Sequence, residues 1–181
     1  FYNFFSSEPN SHVQDIPLTF AAGLVFAHHN APIQSLRSLA EKLSKLAKQH
    51  RNSQNAFAYQ VLESFDSIGK ELEEYLASRF PFLKEDFAPL CFPAELTREI
   101  APAMPFWREE IPKRKLHSIT RDILSGGNAL DDIRYVQNLL NQPGLQVSLT
   151  ALQHLESQTS PEAAWFHLAE LWDYVTPQAR Q

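Results

Sequence analysis

The clearest pattern of apolar and polar positions runs from residue 18 to residue 51. Residues 18–28 are apolar or small on both alternating sets. Leu18, Phe20, Ala22, Leu24 and Phe26 form one face; Thr19, Ala21, Gly23, Val25 and Ala27 form the other. A strand covered on both sides has this pattern, so the spacing predicts a strand central in a sheet. Gly23 at its middle predicts that something bulky approaches the backbone there. Asn30, Ala31 and Pro32 make a corner, with Pro32 suited to a helix start. From Ile33 the apolar positions are Leu36, Leu39, Ala40, Leu43, Leu46 and Ala47, the stripe of an amphipathic helix. Its cations gather late, at Lys42, Lys45, Lys48 and Arg51, where they suit the negative end of the helix dipole.

The flanking segments follow the same logic. Residues 6–17 are polar with two prolines and predict a loop. Residues 56–63 are rich in aromatic and branched side chains and predict a second strand. A helix is predicted over 68–80, with Leu72, Tyr75, Leu76 and Phe80 on one side, then an extended stretch over 81–92. Five of the twelve prolines fall between Pro89 and Pro112, which predicts a boundary near residue 93 and interrupts long elements there. Beyond it the periodicity is helical only, over 94–101, 104–110, 113–124, 129–141, 147–158 and 161–175. Gly126-Gly127-Asn128 and Pro143-Gly144 are stops, and Thr159 or Ser160 is the cap of the last helix. The expected fold is α+β: an incomplete ferredoxin-like palm of two strands and two helices over 1–92, then an all-α helical bundle over 93–181.

Composition narrows the function. A net charge of -5 argues against a strongly basic nucleic-acid module but leaves room for basic faces. The single cysteine, Cys91, excludes an internal disulfide and a cysteine-based zinc site, and fits a reducing, cytoplasmic setting. It lies in an apolar run and reads as a buried filler. No apolar run of about 18 residues is present to span a membrane. Two strands are too few for a stable sheet, and the chain opens on an apolar cluster, Phe1, Tyr2, Phe4 and Phe5, so the expectation is a fragment of a longer protein.

Residues 17–64 carry a resemblance. Ala22-Gly23, Ala27-His28-His29, Pro32, Ala47-Lys48, Arg51 and Asn55-Ala56-Phe57 are similar to the second palm domain of the large, Cmr-type cyclic oligoadenylate synthase subunit of type III CRISPR effector complexes. Ala21 and Asn30 depart from the usual Ser and Lys of that pattern. The family's C-terminal helical domain, which packs against neighbouring subunits, matches 93–181 in order alone. The resemblance implies a parent that polymerises ATP into cyclic oligoadenylates with Mg2+ or Mn2+ when target RNA binds. It implies as partners the upstream part of the same subunit, neighbouring effector subunits, CRISPR RNA and target RNA, with no membrane. It gives Lys48 and Arg51 a nucleotide phosphate-binding role. His28, His29 and Gly23 stand as palm structural or site residues.

The family's GGDD metal-binding hairpin is missing from the chain. Gly126-Gly127-Asn128-Ala129-Leu130-Asp131-Asp132 resembles it superficially but lies between two predicted helices. Aiming two carboxylates at a metal pair about 4 Å apart needs a tight hairpin between strands. No catalytic or metal-ligating residue is therefore expected, and the chain alone should be inactive. Arg108, Lys113, Arg114 and Lys115, in a basic cluster that continues to His117 and Arg121 and is interrupted by Glu109, Glu110 and Asp122, are candidate RNA or subunit contacts, against the plainer account of a solvated helix face. The alternatives are a non-catalytic scaffold subunit of a type I-D CRISPR complex and a remnant of a GGDEF-type diguanylate cyclase, which shares the strand–helix–Ala-Lys–strand frame without the double histidine.

Overall fold

The computed structural model describes residues 12–13, 16–17, 19–51, 54–62 and 71–175. They form a mixed α+β fold with a small three-stranded sheet and seven α-helices. The strands are β1 (His12–Val13), β2 (Ile16–Pro17), β3 (Ala21–Phe26), β4 (Ala56–Val61) and β5 (Cys91–Pro93). The helices are α1 (Ile33–His50), α2 (Leu72–Arg79), α3 (Thr97–Glu110), α4 (Lys113–Leu124), α5 (Leu130–Leu140), α6 (Gln146–Gln158) and α7 (Pro161–Leu171). β1 and β2 pair antiparallel within the segment expected to be a loop.

The sheet runs β3-β4-β5. β3 and β4 are parallel, in register from Ala21 opposite Ala56 to Phe26 opposite Val61. A parallel pair needs a crossover, and α1 supplies it. β4 and β5 are antiparallel, with Phe57 opposite Phe92 and Ala58 opposite Cys91. Two expectations change here. The extended stretch over 81–92 is instead two short 3-10 turns, Pro81–Leu83 and Ala88–Leu90, followed by a third strand. Among the described residues β3 is an edge strand and β4 is central, because only β4 pairs with β3.

Side-chain alternation explains the packing. Gly23, Ala56, Ala58, Gln60 and Cys91 point toward α1, and Cys91 Sγ lies 3.7 Å from Leu46 O. The opposite face carries a row of rings: Phe26 against Tyr59, and Phe57 between Tyr59 and Phe92. Small residues on the helix side let α1 come close. A Cβ on Gly23 would sit 1.9 Å from Ala40 O and 2.7 Å from Ser44 N. The bulky approach expected at Gly23 is thus the backbone of α1 itself. α1 spans 18 residues, about 27 Å, and β3 six, about 20 Å. The helix overhangs the strand, so its first turn is not covered: Ile33 is 72% exposed, while Leu43, Leu46 and Ala47 are buried.

The described residues form two compact units. One holds 12–62 with Cys91–Ala94; the other holds 71–90 and 95–175. The expected division near residue 93 had put helix α2 with the first unit; its contacts lie with the second. The expected start of that helix at 68 lies outside the described residues. In the second unit the two segments expected over 94–101 and 104–110 are one helix, α3, with Pro102 and Pro105 inside it. Each proline removes a donor, freeing the carbonyls of Arg98 and Ala101. Both prolines are exposed, so this defect lies on the solvent side, while Ile100, Ala103, Met104 and Trp107 are buried on the other. α3 packs on α6 and α4 on α7. Trp107, Leu116, Ile119, Leu152, Trp165 and Leu168 are among its fully buried side chains. Ser160 caps α7 by accepting from Ala163 N at 3.0 Å.

Candidate functional site

The first candidate site is the carboxyl end of α1, where the helix returns to the start of β4. Its sequence keeps Leu43, Leu46 and Ala47 buried against the sheet, which turns Lys45 and Lys48 outward. Lys48 is exposed in the last turn, and Arg51 is the C-cap residue, its amide bonded to Ala47 O at 3.0 Å. Arg51 is half-buried, so Lys48 is the exposed lysine of the last turn, with Lys45 exposed one turn earlier. Asn55 holds the end together. Its Oδ1 accepts from Phe20 N at 3.0 Å and its carbonyl accepts from Ala94 N at 2.8 Å. It thereby joins the entries of β3 and β4 to the exit of β5. Such a linker has no periodic signal; only a polar residue at the strand start hints at it.

His28 and His29 do not join this group. β3 ends at Phe26, so both histidines lie in the exposed turn beyond it, their ring centres 6.3 Å apart. Opposite faces of a strand were expected; the shorter strand removes that constraint. The length of α1 separates them from Lys48 by roughly 25 Å. Gly23 lies between, beneath α1, and its place is set by packing. Among the described residues no three His, Cys, Asp or Glu side chains gather closely enough to hold a metal ion. Gly126-Gly127-Asn128 is a helix-to-helix turn, with Gly126 at φ 69° and Asn128 Oδ1 accepting from Leu130 N. Asp131 and Asp132 fall in the first turn of α5, where carboxylates suit the helix dipole.

The second candidate site is the basic cluster of the second unit, and the structure sorts its members. Arg108 points inward. Its Nε donates to Trp172 O at 2.8 Å and a terminal nitrogen donates to Trp172 O and to Val175 O, so it caps the carboxyl end of α7. Lys113 pairs with Asp173 at 2.8 Å and Lys115 with Asp132 at 2.6 Å. Three of the four candidates thus have intramolecular partners. Arg114 is exposed, and it lines an open groove on α4 with Lys115, His117, Ser118 and Arg121. His117 and Arg121, of the same basic cluster, share the Arg114 face at helical spacing, and Ser118, which the cluster did not include, joins them there.

The hydrogen bond from Lys115 holds the Asp132 carboxyl below the usual aspartate range, helped by Ser118 and by the charges of Lys115 and Arg121, against the opposing effect of burial. A depressed carboxyl stabilises the fold above its unfolded pKa, and that contribution disappears as pH falls through the folded value. Asp132→Asn should therefore cost about 0.5 kcal/mol at neutral pH, as partly exposed pairs do. The difference from the parent chain should shrink as pH falls below the usual aspartate range and through the depressed folded value. Denaturant midpoints measured across that range check it; a deficit that persists in acid would assign the loss to packing.

On comparison with known proteins, no family model matches the chain, and no curated protein and no solved structure matches it.

Proposed function

We propose that this chain is part of the large subunit of a type III CRISPR effector complex: the end of a nucleotide-binding palm followed by a helical domain that meets neighbouring subunits. The observation that carries the reading is the parallel β3–α1–β4 crossover, closed at Gly23 and ending in the exposed Lys48. It supplies the strand, helix and strand that the motif requires, in that order. In this reading the Lys48 ammonium meets the triphosphate of ATP. A compact cation there offsets charge that builds as the phosphoryl bond breaks. Arg51 stands behind it as a positioning residue at the helix cap. In this reading the carboxylates that hold Mg2+ or Mn2+ belong to the remainder of the parent, and the chain alone makes no product.

The test is recovery of the tagged parent protein from its host. CRISPR RNA and repeat-fold subunits should come with it, and their absence overturns the reading. Within such a complex, Lys48→Ala should lower cyclic oligoadenylate synthesis by about tenfold or more while target RNA binding holds. Lys45→Ala, one turn earlier on the helix, should change synthesis by less than about twofold.

A further inference from the structure

We propose that the α4–α5 face binds a single-stranded polynucleotide, with Arg114, His117 and Arg121 on its phosphates and Tyr135 beneath a base. Arg114, His117, Ser118 and Arg121 recur at helical spacing and form one stripe along α4, about 10 Å long. With Lys115 they line an open groove of about 610 Å³, room enough for a nucleotide. Among the described residues the Arg114 and His117 side chains make no hydrogen bond or ion pair. Two carboxylates oppose the cations, Asp132 on Lys115 and Asp122 beside Arg121 at 3.4 Å, which leaves the stripe net positive on an acidic chain.

Two further features select the ligand. Tyr135 on α5 is 45% exposed, and the Lys115 ammonium lies 5.4 Å from the centre of its ring. A cationic groove beside a half-exposed aromatic ring is how single strands are held, phosphates on the cations and a base on the exposed side of the ring. The groove is lined by two guanidinium groups, which only donate, with an ammonium, an imidazole and a hydroxyl beside them. Arginine forks match phosphate oxygens in pairs. The proposal does not rest on the palm reading, which concerns the other unit.

Fluorescence anisotropy on the whole 181-residue chain with labelled oligouridylate of about 12 nucleotides tests it. Binding should weaken with salt at a log–log slope of about -1.5 to -2, the release expected from two or three phosphate contacts on a single strand. Arg114→Gln with Arg121→Gln should weaken binding by about tenfold or more and flatten that slope. Tyr135→Ala should weaken it by at least about fivefold with the slope retained. Arg37→Gln, an exposed charge change on α1, should leave affinity unchanged, and circular dichroism should show every variant folded. Three results would overturn the proposal: no salt-dependent binding, binding that survives the paired arginine substitution, or preference for a polyglutamate peptide regardless of Tyr135, which would point to an acidic protein instead. The assay contains no ATP and no effector subunits, so its failure and that of the palm reading are separable.

Discussion

Gly23→Ala should cost on the order of 3 kcal/mol or more, and β3 should part from α1. The new methyl would sit 1.9 Å from Ala40 O and 2.7 Å from Ser44 N. Both are backbone atoms in the middle of a helix, so no side chain can rotate away. Relief requires α1 to move off the sheet, and that movement uncovers Leu43, Leu46 and Ala47, the most buried residues of the helix. Chain freedom is not the issue at Gly23; the missing Cβ is. Hydrogen exchange at the amides of β3 and β4, with thermal unfolding of the whole chain, is the measurement. An alanine variant with unchanged melting and protected strands would mean that α1 can yield at Ala40 without leaving the sheet.

Trp107→Ala should be the largest loss in the helical unit, about 4–5 kcal/mol. Trp107 is 0% exposed, and its Nε1 donates to Ser148 O on α6 at 3.1 Å. Removing it empties the contact between α3 and α6 and deletes a buried hydrogen bond. Trp107→Phe separates the two effects, since it keeps most of the apolar area. That variant should lose about 1–2 kcal/mol, the scale of a buried hydrogen bond plus a small void. Urea midpoints of the two variants give the ratio. Equal losses would show that the hydrogen bond dominates and the ring volume counts for little.

How far the sequence foretold these features depends on how local each one is. The elements of the crossover were legible because their signals are long: apolar or small residues on both faces for β3, then a stripe at helical spacing for α1. Gly23 was legible because a glycine inside an apolar strand weakens it unless another backbone comes close. β5 was not. Cys91–Pro93 is three residues between prolines, too short for any period, and it exists as a strand only because Ala56, Phe57 and Ala58 pair with it. In α3 the two prolines argued for a break, yet the buried stripe of Ile100, Met104 and Trp107 runs through unbroken on the face away from them. The basic cluster shows the same limit at the site. Lys113, Lys115 and Arg108 look alike along the chain, but their partners Asp173, Asp132 and Trp172 lie 60, 17 and 64 positions away. Charge was readable; which charges remain open to a ligand was decided by tertiary placement.

The late return of β5 has a consequence for the order in which the chain folds. β4 ends at Val61 and its antiparallel neighbour starts at Cys91, with residues 71–90 between them belonging to the other unit. Closing a flexible loop of that length costs roughly 3 kcal/mol of chain entropy. During synthesis β3, α1 and β4 can assemble as soon as they are made, while the third strand must wait until residue 93 is free. Until then the β4 edge and the Phe57 ring lie open to any other strand. The same threading means that neither unit can be excised by one cut: a piece ending at residue 69 loses a strand, and a piece beginning at residue 95 loses α2. Expression of such pieces should give aggregation-prone products where the uncut chain does not.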